Sequence, residues 1–216
     1  MHKVFLITRP NHDLITNYLF RWSFPVVNEA AGRNFQVLDL KEKKATRENL
    51  ESYINKNEPA LVFFNGHGSS KVICGYDDEV LVEADKNEGL LSDTVVYARI
   101  CRAAECLGSR CVQAGTVAFV GYNRDYFLGY SQSRITRPLE DGVAKLFLEP
   151  SNLVPTSLLK GNTVEESFSK SQEAMRRNIR FMNSGSALSS QKDAAPYLWR
   201  NVKSQTVHGN QKANLC

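Results

Sequence analysis

A doubly wound, mostly parallel α/β sheet with helices on both faces is the fold class the sequence predicts, and three observations predict it. Short apolar runs recur along the chain, and the segments between them carry apolar residues at helical spacing. Each run is mostly apolar, as strands buried on both faces should be.

The first run, residues 3–8 (KVFLIT), predicts a strand, after which Leu14, Ile15, Tyr18 and Leu19 mark one face of a helix with Asn11 as its cap. Residues 35–40 (FQVLDL) predict the second strand. Thr46 opens a helix carrying Leu50, Tyr53 and Ile54, and residues 60–64 (ALVFF) predict the third strand. In residues 71–83, Tyr76-Asp77-Asp78 separates two β-prone runs, the pattern of an inserted hairpin. The fourth strand is expected at 94–100 (TVVYARI), followed by a helix-compatible segment from about Ala103 to Gln113 and a fifth strand at 116–120 (TVAFV). Residues 123–136 mix Gly, Ser and aromatics without a period, as a functional loop does. Thr163 and Glu166 have the spacing of a capping box, heading a long helix whose buried side is Val164, Phe168, Met175, Ile179 and Met182. Residues 184–196 (SGSALSSQKDAAP) are expected to form a flexible connection ahead of a last apolar piece, YLWRNV, and 203–216 a flexible tail.

At 216 residues the chain is expected to be a single domain spanning 1–216, because halves would bury poor cores. A 42% hydrophobic fraction with 23% charged residues is that of a water-soluble globular protein. The net charge of +4 is too mild to argue for nucleic-acid binding. No stretch approaches the roughly 20 apolar residues that cross a bilayer, and the opening apolar run is too short for a signal peptide. Five cysteines without regular spacing suit reduced thiols, and so a cytoplasmic location.

Chemistry concentrates at two strand ends. The third strand runs into Asn65-Gly66-His67-Gly68-Ser69, which puts His67 at the carboxyl edge where open α/β sheets bind ligands. A lone histidine there can equally be structural; the flanking glycines let backbone approach a substrate and leave the Gly68 N–H to donate. The fourth strand ends at Cys101. Successive strands are usually neighbours, so thiol and imidazole are expected to face one cleft, with the following helix start favouring the thiolate and His67 taking its proton. Cys106, also near that helix start, is the rival nucleophile. Cys74, Cys106 and Cys111 lack the close pairing of a zinc site, and no metal or cofactor is expected. Neither GxGxxG nor GxxxxGK[ST] follows the first strand, which argues against a nucleotide binder.

The segments LVFFNGHGS, VVYARICRAAECLG, AGTVAFVGY and YLWRNVKSQTVHGN, in that order, resemble the caspase, gingipain and CHAT-domain cysteine peptidases of clan CD, most nearly the CHAT type. The resemblance implies a caspase/hemoglobinase-like fold and a thiol protease acting on a protein or peptide substrate, regulated by processing or an activating partner protein. It implies His67 as general base, Cys101 as nucleophile, and the backbone N–H groups of Gly68 and Cys101 as oxyanion donors. Caspases read Gln-Ala-Cys-Arg-Gly where this chain reads Arg99-Ile100-Cys101-Arg102-Ala103, and their His and Cys stand about 50 residues apart, farther than His67 and Cys101.

Two before the nucleophile, the family position lining the specificity pocket holds Gln in caspases and Asp in metacaspases. Arg99 therefore implies cleavage after an acidic residue, with Arg9, Asn123, Arg124 and Asp125 completing the substrate-binding set. The competing expectation is that Arg99 pairs internally, with a carboxylate such as Asp125 or Glu105. The resemblance also allows a role in bacterial defence or regulated cell death. The alternative to a peptidase is a noncatalytic pseudo-peptidase or scaffold that uses the same strands to bind a partner.

Overall fold

The computed structural model describes residues 3–215. Six strands form the main sheet in the order β2-β1-β3-β6-β7-β8: β1 (Val4–Arg9), β2 (Gln36–Lys41), β3 (Leu61–Asn65), β6 (Val95–Arg99), β7 (Ala118–Tyr122) and β8 (Gln205–Gly209). The first five run parallel, and β8 pairs antiparallel with β7. Between β3 and β6 the chain inserts the expected hairpin, β4 (Val72–Cys74) with β5 (Val80–Glu83).

Seven helices accompany these strands among the described residues. Helix α3 (Arg47–Asn57) and α4 (Leu107–Gln113) cover one face: Leu50, Ile54, Leu107 and Cys111 pack with Leu6, Val62, Phe64, Val96 and Phe119. On the other face α2 (Phe24–Gly32), α5 (Gly142–Leu159) and α6 (Val164–Met182) pack against Phe5, Ile7, Phe63, Tyr97 and Val120. Alternation along each strand sends successive side chains to opposite layers. That is why β1, β3, β6 and β7 are buried along their whole length and read as unbroken apolar runs.

Helix α1 (Leu14–Trp22) buries Tyr18, Leu19 and Trp22, but Asp13 caps it, not Asn11: the Asp13 carboxylate accepts from Thr16 N–H at 2.7 Å. Thr46 and Thr163 cap α3 and α6 as expected, the latter through a complete capping box with Glu166. The sequence reading is corrected at three further places. The helix after Cys101 begins at Leu107, not Ala103, because residues 101–106 form turns. The expected flexible connection is helical from Ser189 onward in α7 (Ser189–Ser204), which seals Ala195, Leu198 and Val202 against α5 and α6. The expected tail supplies strand β8, and Leu215 is buried; Cys216 lies outside the described residues.

Candidate active site

Arg99, the last residue of β6, pairs in register with Asn65, the last residue of β3. His67 and Cys101 are each two residues beyond that pair, so both emerge at the carboxyl edge of adjacent parallel strands, which lie about 4.8 Å apart. The turn after β3 is held close to that edge. Gly66 sits at φ +142°, a conformation that favours glycine. A Cβ on Gly68 would collide with Val72 O and come within 2.5 Å of Ile100 Cγ2, so only glycine fits between the hairpin and the residue preceding Cys101. Gly68 bridges Ile73 through its neighbours, Ser69 N–H to Val72 O and Cys74 N–H to His67 O, which leaves the Gly68 N–H outside those bonds.

The structure adds a third group that sequence reasoning missed. Asp13 Oδ2 lies 2.5 Å from His67 Nε2. Burial works against ionisation of Asp13, but hydrogen bonds from Thr16 N–H, His67 and the Thr16 hydroxyl outweigh it and lower its pKa. The ionised carboxylate accepts only, so Nε2 carries the imidazole proton and Nδ1 keeps a free lone pair. A carboxylate holding a histidine in one tautomer is the arrangement that orients a general base. In the sequence Asp13 signals no more than a helix start, 54 residues before His67.

Cys101 is half-buried, and its thiol points toward Tyr126 O at 3.7 Å. Burial raises its pKa; the hydrogen bond to the Tyr126 carbonyl opposes this, and the charge of Asp125 adds to it. The expected help from a helix N-terminus is absent, since α4 starts beyond Cys106. The thiol therefore rests protonated and needs a base. Arg102 follows in a left-handed conformation, φ 60°, and its N–H is taken by Arg124 O at 3.0 Å, tying the Cys101 turn to the loop after β7.

The substrate-binding residues expected from the sequence fall into two groups. Asn123, Arg124 and Asp125 line one cleft of about 560 Å³ with Arg102, Glu105, Phe127, Trp199, Arg200 and Lys203. Arg9 and Arg99 do not join them. Arg99 is fully buried and donates to Asn65 Oδ1 (3.0 and 2.5 Å), Asn152 Oδ1 (2.9 Å) and Leu19 O (3.5 Å), with its guanidinium over the Phe63 ring. Its partners are neutral amides and a backbone carbonyl, not Asp125 or Glu105. Arg9 is buried on Asp39, donates to Phe20 O at 3.1 Å and stacks over Phe20. Glu105 instead holds Arg102 at 2.8 Å.

No protein-family model matches the chain, and no curated protein matches it. Solved structures do. The crystal structure of gingipain R, described as an Arg-specific cysteine proteinase, superposes with a TM-score of 0.64 at 10% identity, over 98% of this chain and 47% of that one. The fold is caspase-like. A secreted C11 cysteine protease from Bacteroides thetaiotaomicron, bound to an irreversible peptide inhibitor, aligns at TM-score 0.52 and 12% identity over 88% of this chain and 62% of that one. A complex of pro- and mature domains from Porphyromonas gingivalis aligns at 0.60 and 10%. At these identities the likeness is one of fold, and the chain spans about half the length of gingipain R. The caspase-like neighbours are cysteine peptidases; no helix among the described residues is long and apolar enough to cross a membrane.

Proposed function

We propose that this chain is a cysteine endopeptidase in which Cys101 attacks the scissile carbonyl, His67 takes the thiol proton, and Asp13 positions His67. The observation that carries the reading is the matched position of His67 and Cys101 beyond paired residues of β3 and β6, with a carboxylate on Nε2 of the imidazole. Substrate docks along the carboxyl edge. The thiolate adds to the carbonyl carbon, the oxyanion is met by the N–H groups of Gly68 and Cys101, and the amine leaves with the proton from His67. Water then hydrolyses the thioester.

Preference for an acidic residue before the scissile bond is kept, with its source moved. The cleft beside Cys101 carries Arg102, Arg124, Arg200 and Lys203 against Glu105 and Asp125, and among the described residues Arg124, Arg200 and Lys203 make no ion pair. Arg200 lies over Phe127 and Tyr197, and Lys203 over Trp199, contacts that hold the cations without neutralising them. Within the caspase-like group, the four ordered segments favour a CHAT-type member, acting in the cytoplasm with its described cysteines reduced and an activating protein partner.

The scaffold reading has one observation on its side, the raised pKa of Cys101. An electrophilic acyloxymethyl-ketone peptide with Asp at its reactive end separates the two. Stoichiometric labelling at Cys101, lost in His67→Ala, is the expected result. A folded protein that never labels, with or without cell extract to supply an activator, would sink the peptidase.

A further inference from the structure

We infer that His12, His67 and Asp78 form a binding site for one zinc-type divalent ion, and that the bound ion silences the site by occupying His67. The silencing half rests on His67 as the general base. The three residues come from separate elements: the β1–α1 connection, the turn after β3, and the tip of the β4–β5 hairpin. Each offers one ligand atom, and these lie within 4.8 Å of one another. Two ligands on a tetrahedral zinc ion stand about 3.3 Å apart, and His12 Nε2 is already 3.6 Å from Asp78 Oδ1. Closing the set from within 4.8 Å needs side-chain shifts of about 1–1.5 Å, and Asp78 is exposed.

His12 is the residue that asks for a ligand. Its ring is nearly buried, packed edge-on against Tyr76 and His67 at 5.4 and 5.9 Å between centroids, and neither ring nitrogen has a hydrogen-bond partner among the described residues. Buried polar atoms are almost always satisfied, so two orphaned nitrogens on one ring facing an imidazole and a carboxylate are informative. Two imidazoles and one carboxylate suit zinc, with a fourth position for water; calcium and magnesium prefer oxygen alone. Asp13 already holds Nε2 of His67, and a metal-bound histidine usually gives its other ring nitrogen to such an outer-shell carboxylate, so Nδ1 is the atom proposed to take the ion. A lone pair donated to the ion cannot accept the thiol proton.

The purified full-length chain, stripped with chelator, is titrated with Co²⁺ followed by its visible absorption and then with Zn²⁺, while Cys101 labelling is followed separately. One Co²⁺ per chain, displaced by Zn²⁺, is expected, with affinity falling about 10-fold or more in Asp78→Asn and in His12→Gln. Peptide cleavage by the parent protein should stop as zinc fills the site and return with chelator, while Asp78→Asn keeps cutting. Unchanged affinity in both variants, or loss of binding in Cys101→Ala, would overturn the site. Metal binding that needs His12 and Asp78 in a chain that never cleaves would uphold the site and count against the peptidase instead.

Discussion

The strand ends beneath Cys101 and the cleft beside it are both rich in arginine, yet they use it differently. In the strand ends, Arg9 and Arg99 have their donors engaged by Asp39, Asn65, Asn152 and backbone carbonyls. In the cleft, Arg124, Arg200 and Lys203 stack on aromatics or face solvent and keep their hydrogen-bonding edges available. An arginine inside an apolar strand stands out in a sequence because burying it is expensive unless partners meet it. For Arg99 that requirement is met internally, by two amides and a backbone carbonyl. On the proposed reading, recognition falls to the less conspicuous residues on loops and on α7.

The largest expected effect tests whether the carboxyl edge is the site at all. Cys101→Ala and His67→Ala should each reduce peptide cleavage to background with little change in Tm, and the double variant should be no worse, since base and nucleophile act as a unit. Cys106→Ala should remain active. Loss of activity in Cys106→Ala with retention in Cys101→Ala would move the nucleophile and void the comparison.

The thiol itself reports whether Arg99 reaches the cleft electrostatically. A buried cation acting on Cys101 would lower its pKa; burial and Asp125 instead raise it above the ordinary value of 9.0. Iodoacetamide labelling of Cys101 without substrate should therefore climb by about 10-fold per pH unit from neutrality toward pH 9. Cys111, pushed up to about 12 by burial, should stay silent over that range. A labelling rate already at plateau near pH 7 would mean a thiolate at rest, and persistence of that plateau in His67→Ala together with its loss in Arg99→Ala would mean that the Arg99 charge is felt after all.

Arg99→Ala should act on stability before selectivity. It leaves a cavity and strips the guanidinium donors from Asn65 and Asn152, a loss of about 2–4 kcal/mol, or a Tm lower by on the order of 10 °C for a chain of this size. Fluorogenic peptides should then rank in the same order on the folded fraction. A stable variant with altered preference would restore Arg99 to the pocket.

How much of this was legible follows from how local each signal is. Five parallel strands, the hairpin and the Thr163 cap are written in adjacent residues, and His67 and Cys101 stand out because each closely follows a strand. Helix α5 was not legible: Pro150 and Pro155 argue against a helix, and burial of both against neighbouring layers overrides that local penalty. Strand β8 reads Gln-Thr-Val-His-Gly, too polar and short to announce itself, and becomes a strand by completing the edge of β7. The Asp13 contact with His67 and the amide partners of Arg99 join residues far apart in the chain, which no local pattern records.

The smallest expected effect is the one that most sharpens the contrast between the two sets of arginines. Arg124 lines the cleft, and its backbone carbonyl anchors the Cys101 turn through Arg102 N–H, a contact that a side-chain change leaves intact. Lys203 approaches the same cleft from α7, over Trp199. Arg124→Glu and Lys203→Glu replace solvent-facing charge, so each should shift stability by no more than about 0.5 kcal/mol. For a peptide with Asp before the scissile bond, kcat/KM should fall by about 3- to 10-fold per variant, mostly through KM, and less at high salt because exposed charges are screened. The matching peptide with Lys should gain. The loop that carries Arg124 is fixed by paired bonds between Phe127 and the Asn201 side chain at 2.8 and 2.7 Å, so the charge is presented in one place and a selectivity change cannot be assigned to a loop that has come loose. Equal losses on Asp and Lys peptides, or none at any salt concentration, would show that this cleft does not read the acidic residue.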